Sequence, residues 1–275
     1  VDLIVAAMSA VRGIQVLDVQ CDVDHNRSVV TIVGAPHAVL DASFRGVAKA
    51  VELIDLNHHR GEHPRMGAAD VVPFVPIRGV TMQDCVDLAC ELGERVGSQL
   101  AIPVYLYEAA ATRPDRRNLA DVRRGEYERL SEEIATNPER LPDFGPAIMG
   151  PAGATAIGAR PSLIALNVYL NTSDVAPARA IARAVRQSSG GLRFVKGLGL
   201  LVEGQAQVSM NLTDYQQTPI HRVLEMIRAE AARYGLCITH SEVVGLLPAQ
   251  ALIDAAQFYL QLNDFSSDQV LENRL

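Results

Sequence analysis

Two rhythms of apolar side chains alternate along the chain. In the first half, apolar residues returning every three or four positions predict helices over 1–11, 36–54 and 82–100, and shorter apolar runs predict strands over 14–18, 28–33, 70–77 and 104–107. The second half reads more sharply. Residues 163–170 (LIALNVYL) form a strand pattern, and 174–186 a helix that Thr172, Ser173 or Asp174 can cap. Ser188-Ser189-Gly190-Gly191 marks a turn. Strands are expected over 194–202 and 206–212, joined by a hairpin turn at Glu203-Gly204. A helix over 218–234 carries Ile220, Val223, Leu224 and Ile227 on one face. A further strand lies within 236–247, and Pro248 suits the first turn of a last helix ending near Leu262.

Without that last helix, the second half runs strand, helix, strand, strand, helix, strand. This is the split βαβ, or ferredoxin-like, order: an antiparallel sheet with helices on one face. The first half echoes it as helix, strand, strand, helix, strand, followed by an extra helix and strand. One more strand before Val1 would complete the unit. A linker rich in Gly and Pro, from Pro138 through Pro142 to Pro161, is expected between the halves. The predicted class is therefore α+β with two ferredoxin-like subdomains, over 1–158 and 159–275.

Composition narrows the function. Of 275 residues, 48% are apolar and 21% charged, which excludes disordered and collagen-like chains. The net charge of −7 argues against nucleic acid and anionic membrane as partners, and with 5% aromatics and no Trp there is little material for base stacking. An anionic small-molecule substrate needs a local cluster of Arg instead. Cys21, Cys85, Cys90 and Cys237 form no CxxC pair, so they read as reduced thiols of a cytoplasmic protein. No apolar run is long enough to span a bilayer, and Val1 to Met8 lacks the basic region of a secretory signal.

The densest polar cluster is Asn57-His58-His59-Arg60-Gly61-Glu62-His63-Pro64-Arg65-Met66-Gly67, between a helix end and a strand start. It admits metal binding, a solvated loop, or a histidine acting as general acid and base beside anion-binding arginines. A zincin-like site is excluded, because Gly61 and Pro64 break the helix that His59 and His63 would need. Pro64 restricts His63 to extended conformations. His58 and His59 end a helix and read as surface or capping residues. Two other stretches matter. Residues 143–155 carry Gly145, Gly150 and Gly153 and allow either a plain linker or backbone amides approaching a flat ligand. Asp24-His25-Asn26-Arg27 leads into a strand and offers an arginine at its entrance, or an ordinary turn.

On these segments the sequence resembles the formiminotransferase (glutamate formimidoyltransferase) family. The likeness runs through His25-Asn26-Arg27-Ser28-Val29, Gly61-Glu62-His63-Pro64-Arg65-Met66-Gly67-Ala68-Ala69-Asp70 and Pro73-Phe74-Val75-Pro76-Ile77-Arg78-Gly79-Val80. It continues in Pro103-Val104-Tyr105-Leu106-Tyr107-Glu108, Arg124-Gly125-Glu126-Tyr127-Glu128, Pro142-Asp143-Phe144-Gly145-Pro146 and Gly153-Ala154-Thr155. Gly158-Ala159-Arg160 and Val244-Gly245-Leu246-Leu247-Pro248 complete it. The resemblance implies transfer of the formimino group of N-formimidoyl-L-glutamate to N5 of tetrahydrofolate, in histidine breakdown. It implies two subdomains with a folate cleft between them, a homodimer, and a stand-alone transferase without a cyclodeaminase domain.

The resemblance also assigns residues. His63 takes the catalytic place. The folate segment falls on Gly145, Pro146, Ala147, Ile148, Met149, Gly150, Pro151, Ala152 and Gly153, one residue shorter than in animal members, with Ala152 where those carry Trp. Gln20 falls where animal members place an acidic residue, and their opening strand motif has no counterpart before Val1. For the carboxylates of the glutamyl substrate and the folate tail, Arg27, Arg65, Arg78 and Arg160 are the candidates, each near a matching motif. Tetrahydrofolate is expected as co-substrate, with no metal. A folate-binding relative without turnover, and an enzyme using another formimino or formyl donor, are the alternatives.

Overall fold

The computed structural model describes residues 1–22, 26–61 and 64–274. It divides into two units, Val1–Arg160 and Pro161–Leu275.

The first unit begins with α1 (Asp2–Ser9), then β1 (Gln15–Asp22) and β2 (Arg27–Val33), which pair antiparallel as a two-stranded sheet. Pro36 opens α2 (Pro36–Leu53), where its missing N–H costs nothing. After β3 (Val71–Phe74), helix α3 (Met82–Gln99) starts on a capping box: Thr81 accepts from the Asp84 N–H, and the Asp84 carboxylate accepts from the Thr81 N–H. β4 (Val104–Glu108) follows, then the short helices α4 (Leu119–Val122) and α5 (Glu126–Glu133), and finally β5 (Thr155–Ala159). β5 lies between β3 and β4 and is parallel to both. Leu88, Leu92 and Val96 of α3 pack with Leu40 and Val47 of α2 over Val104, Leu106 and Ile157.

This arrangement corrects the expected linker. Residues 138–161 hold the central strand of the first unit's parallel sheet. Every residue of β5 is buried, and the strand (TAIGA) is built from small side chains. A Cβ on Gly158 would lie 2.5 Å from the Tyr107 carbonyl oxygen and closer than contact to its ring. A strand squeezed on both sides is thus spelled in the same residues as a loop. Among the described residues, the first unit's strands form two sheets rather than one. Arg160 still belongs to this unit, its N–H donating to the Phe74 carbonyl at 3.1 Å.

The second unit follows the expected order element by element. β6 (Ile164–Leu170), α6 (Val175–Val185), β7 (Val195–Val202), β8 (Gln205–Leu212), α7 (Ile220–Ala232) and β9 (Ile238–Val244) precede α8 (Ala249–Leu260). The sheet order is β7-β8-β6-β9, antiparallel throughout, which is the split βαβ topology. Asp174 caps α6 by accepting the Ala176 N–H at 2.9 Å. Ile181, Val185, Val223 and Ile227 from the helices bury themselves against Leu166, Val168, Val208 and Met210 of the sheet. The mixed helices and sheets of both units give the α+β class.

Candidate functional site

The polar loop expected to carry chemistry connects α2 to β3, and its described residues are tied down on three sides. The first tie is to the turn between β1 and β2. The Asn26 side chain donates to the Arg60 carbonyl at 2.7 Å, and Nε2 of His59 lies 2.9 Å from the Asn26 carbonyl. Asn26 sits at φ 47°, in the left-handed region that Asn tolerates better than most residues. His59 is thus a half-buried tie between two loops rather than a cap. His58 is exposed, with Asp55 3.8 Å away. The predicted catalytic His63 lies outside the described residues, as do Glu62, Asp24 and His25.

The second tie is to the start of α5. Arg65, only 9% exposed, sends Nη1 to Glu126 Oε2 at 3.2 Å and to Glu128 Oε2 at 3.1 Å, and Nη2 to Glu128 Oε1 at 2.7 Å. Nη2 also reaches the His59 carbonyl at 3.4 Å, across the loop. The backbone joins in: the Tyr127 N–H donates to the Arg65 carbonyl at 2.9 Å. Hydrogen bonding to Glu128 raises the Arg65 pKa further and holds the Glu128 carboxyl below its usual range. The carboxylate expected on Arg65 is therefore supplied by the chain itself. A substrate carboxylate would have to displace a bidentate partner from a nearly buried fork.

The third tie is to the glycine-rich segment. The Ala154 N–H donates to the Met66 carbonyl and the Ala68 N–H to the Ala152 carbonyl, both at 2.8 Å, and Gly67 and Gly153 pair as an antiparallel bridge. The Leu56 N–H donates to the Pro151 carbonyl at 2.7 Å. The backbones are so close that a Cβ on Gly67 would overlap the Ala154 carbonyl oxygen. Gly153, at φ 72°, meets the same limit against the Met66 carbonyl. The Tyr127 hydroxyl spans the two segments, with Asn57 Oδ1 at 3.1 Å and the Gly150 carbonyl at 3.5 Å. Below the loop, Asp70 accepts the Met66 N–H at 2.8 Å and pairs with Arg123. Burial raises the Asp70 pKa, against the pull of Arg123 and of the Met66 N–H.

The structure thus joins the loop flanking His63 to the segment 145–153 within one unit. Gly145, at φ 79°, packs on α3 where a Cβ would strike the Ile102 carbonyl. Ile148 is 69% exposed, Ala152 is buried, and Gly150 has open space where a Cβ would stand. Asp143 anchors the segment's entrance, accepting the Leu106 N–H at 2.8 Å and pairing with the buried Arg116. The other arginine candidates are scattered. Arg27 begins β2 and is exposed, Arg78 is exposed after β3, and Arg160 follows β5, where its charge opposes the rise that burial gives the Tyr107 phenol. Glu126, Tyr127, Glu128, Asp70 and Arg123 were not singled out as site residues. The signal that could have found the first three is the short motif Arg124-Gly125-Glu126-Tyr127-Glu128, which matched without an assigned role.

Among the described residues, no group of His, Cys, Asp and Glu is able to hold a metal and no helix is long and apolar enough to cross a membrane. Comparison with known proteins gives the loops a context. The family model "Formiminotransferase domain, N-terminal subdomain" matches residues 1–160, and "Formiminotransferase domain" matches residues 165–273. A glutamate formimidoyltransferase of Thermoplasma acidophilum is 51% identical, over 98% of this chain and 90% of its own length. One from Streptococcus pyogenes serotype M1 is 45% identical, over 100% of this chain and 93% of its own. The formimidoyltransferase-cyclodeaminase of Mus musculus is 44% identical over 94% of this chain, which spans 49% of that longer protein. Two family models matched in order, with the tied loops inside the first of them, show that the chain belongs to the formiminotransferase family.

Proposed function

We propose that the chain is a glutamate formimidoyltransferase, moving the formimino group of N-formimidoyl-L-glutamate to N5 of tetrahydrofolate. The observation that carries this reading is a likeness to stand-alone glutamate formimidoyltransferases that extends over nearly the whole of both chains. The local geometry supports it: the loop flanking His63 is hydrogen-bonded to the segment 145–153, which we assign to folate. That segment fits a flat, partly apolar ligand. Its backbone lies outside helix and strand, Ile148 offers exposed apolar surface, and no side chain stands on Gly150. Folate binding by residues 145–153 and catalysis by His63 rest on the family motif.

The reaction forms a bond from N5 to the formimino carbon and breaks the bond from that carbon to the glutamate nitrogen. N5 must lose a proton and the departing amine must gain one. An imidazole titrating near neutrality serves both steps, so His63 is assigned as the shuttle. Arg27, Arg78 and Arg160 are the candidates for the substrate carboxylates, because the Arg65 fork is already held by Glu126 and Glu128. The same reading takes the protein to be cytoplasmic, working in histidine breakdown as a homodimer, a state that light scattering measures.

The test is turnover of both substrates by purified protein. His63→Ala is expected to lower kcat by about 10²- to 10⁴-fold, a barrier increase of about 3 kcal/mol or more. Near-normal turnover in that variant overturns the assignment. Tetrahydrofolate binding without turnover in the unaltered protein would instead favour a non-catalytic binding role.

A further inference from the structure

We infer that the turn Glu126-Tyr127-Glu128 at the start of α5 is a positioning device, which with Arg65 clasps the loop carrying His63 and fixes it to the segment 145–153. The inference rests on the function proposed above and gives a role to the motif that the function left unused.

The geometry is that of a clasp. Arg65 reaches back to the His59 carbonyl, so one guanidinium holds both ends of the stretch 59–65, while Glu126 and Glu128 hold the guanidinium. Between those carboxylates, Tyr127 takes the Arg65 carbonyl with its N–H, and its hydroxyl touches Asn57 on the loop and Gly150 on the glycine-rich segment. Three consecutive residues therefore fasten the loop at its exit, brace it near its entrance and link it to the second segment. The backbone is bent to do so. Gly125 at φ 83° is followed by Glu126 at φ 57°, a left-handed conformation that Glu rarely adopts. Such a strained residue persists where its surroundings over-determine it, and here both its carboxylate and its neighbour's N–H are engaged by Arg65. A fork held by two carboxylates orients the loop more rigidly than one point charge does.

Arg65 and Tyr127 are accordingly positioning residues, whose loss misplaces a proton shuttle without removing a substrate contact. Misplacement by about 1 Å costs about 100-fold in rate. The test measures kcat and both KM values for Arg65→Met, Arg65→Lys and Tyr127→Phe, together with amide hydrogen exchange at Leu56, Ala68 and Ala154. The expected result for Arg65→Met is a kcat lower by about 100-fold, with the KM of the glutamyl donor within about threefold. Arg65→Lys recovers part of the loss, because it keeps the charge but not the fork. Tyr127→Phe, which deletes one hydroxyl, lowers kcat by about tenfold or less, and in each variant the three amides exchange faster together.

A raised donor KM with kcat retained in Arg65→Met means that Arg65 binds a substrate carboxylate, and overturns the inference. If Arg65→Met does not fold, Tyr127→Phe decides: unchanged kcat with unchanged exchange overturns it. The exchange readout also separates the two claims. Coupled acceleration in a protein that never transfers a formimino group leaves the clasp standing and removes the proposed function.

Discussion

The two units hold themselves together by different means. In the second, one continuous antiparallel sheet is closed by helices whose apolar faces supply the core. Two of its ion pairs, Arg228 with Glu225 and Arg233 with Glu230, lie along the exposed side of α7. In the first, strands are divided between two sheets, long irregular segments separate them, and polar side chains fasten those segments. Both buried arginines of the described residues, Arg65 and Arg116, are in the first unit, each paired with carboxylates. Hydrophobic burial is strong but non-directional, whereas a paired guanidinium fixes direction. Under the clasp proposed above, the unit that aims a loop is the one whose side chains fix direction.

The largest disturbance of this contrast is expected from Gly67→Ala, which forces a methyl into the Ala154 carbonyl and parts the two segments. A loss of about 3 kcal/mol is expected in urea unfolding, with loss of tetrahydrofolate binding. Gly150→Ala, which meets open space, stays within about 0.5 kcal/mol and reports on ligand fit alone. Next comes Arg116→Met, which strands the Asp143 carboxylate in a nearly buried place and costs about 3 kcal/mol. Arg228→Ala in the second unit breaks a surface pair worth at most about 0.5 kcal/mol. Equal losses from Arg116→Met and Arg228→Ala would erase the distinction between the units.

The smallest effect is a difference in acid response. Glu128 and Glu133 have lowered values in the folded first unit, so their contribution is complete above the unfolded value of about 4.3. It fades as pH falls through the folded values. Asp70 shifts the other way and offsets part of this. In the second unit, burial lowers the value of His221, so stability begins to fall just below about pH 6.5, where the unfolded histidine takes up a proton first. His221→Gln is expected to remove the upper step of the stability profile and leave the lower one.

Legibility in the sequence divides the same way. In the second unit every predicted strand and helix appears, because most of them bury one face and show it as a rhythm of two or of three to four, β9, exposed beyond Ile238, being the exception. In the first unit α2, α3 and β4 were as clear, but β5 was hidden. A strand buried on both faces has no alternation, and its Ala and Gly read as loop. α4 and α5 were missed because they are short, and charged side chains such as Arg123, Glu126 and Glu128 turn towards partners distant in sequence. The loop around Arg65 stood out as a polar cluster, but no local pattern shows that its arginine is answered by Glu128 rather than by a ligand.

The threading of β5 has a consequence for how the protein is born. β3 and β4 touch β5 but not each other, so two strands made early on the ribosome wait unpaired while residues 109–154 are synthesised. Until Thr155–Ala159 slides between them, each presents open edges to any neighbouring chain. The amino-terminal half is therefore where crowding and chaperone supply should decide the yield of active protein, while the carboxyl-terminal half, wired by a tight hairpin, closes on its own sequence as it emerges.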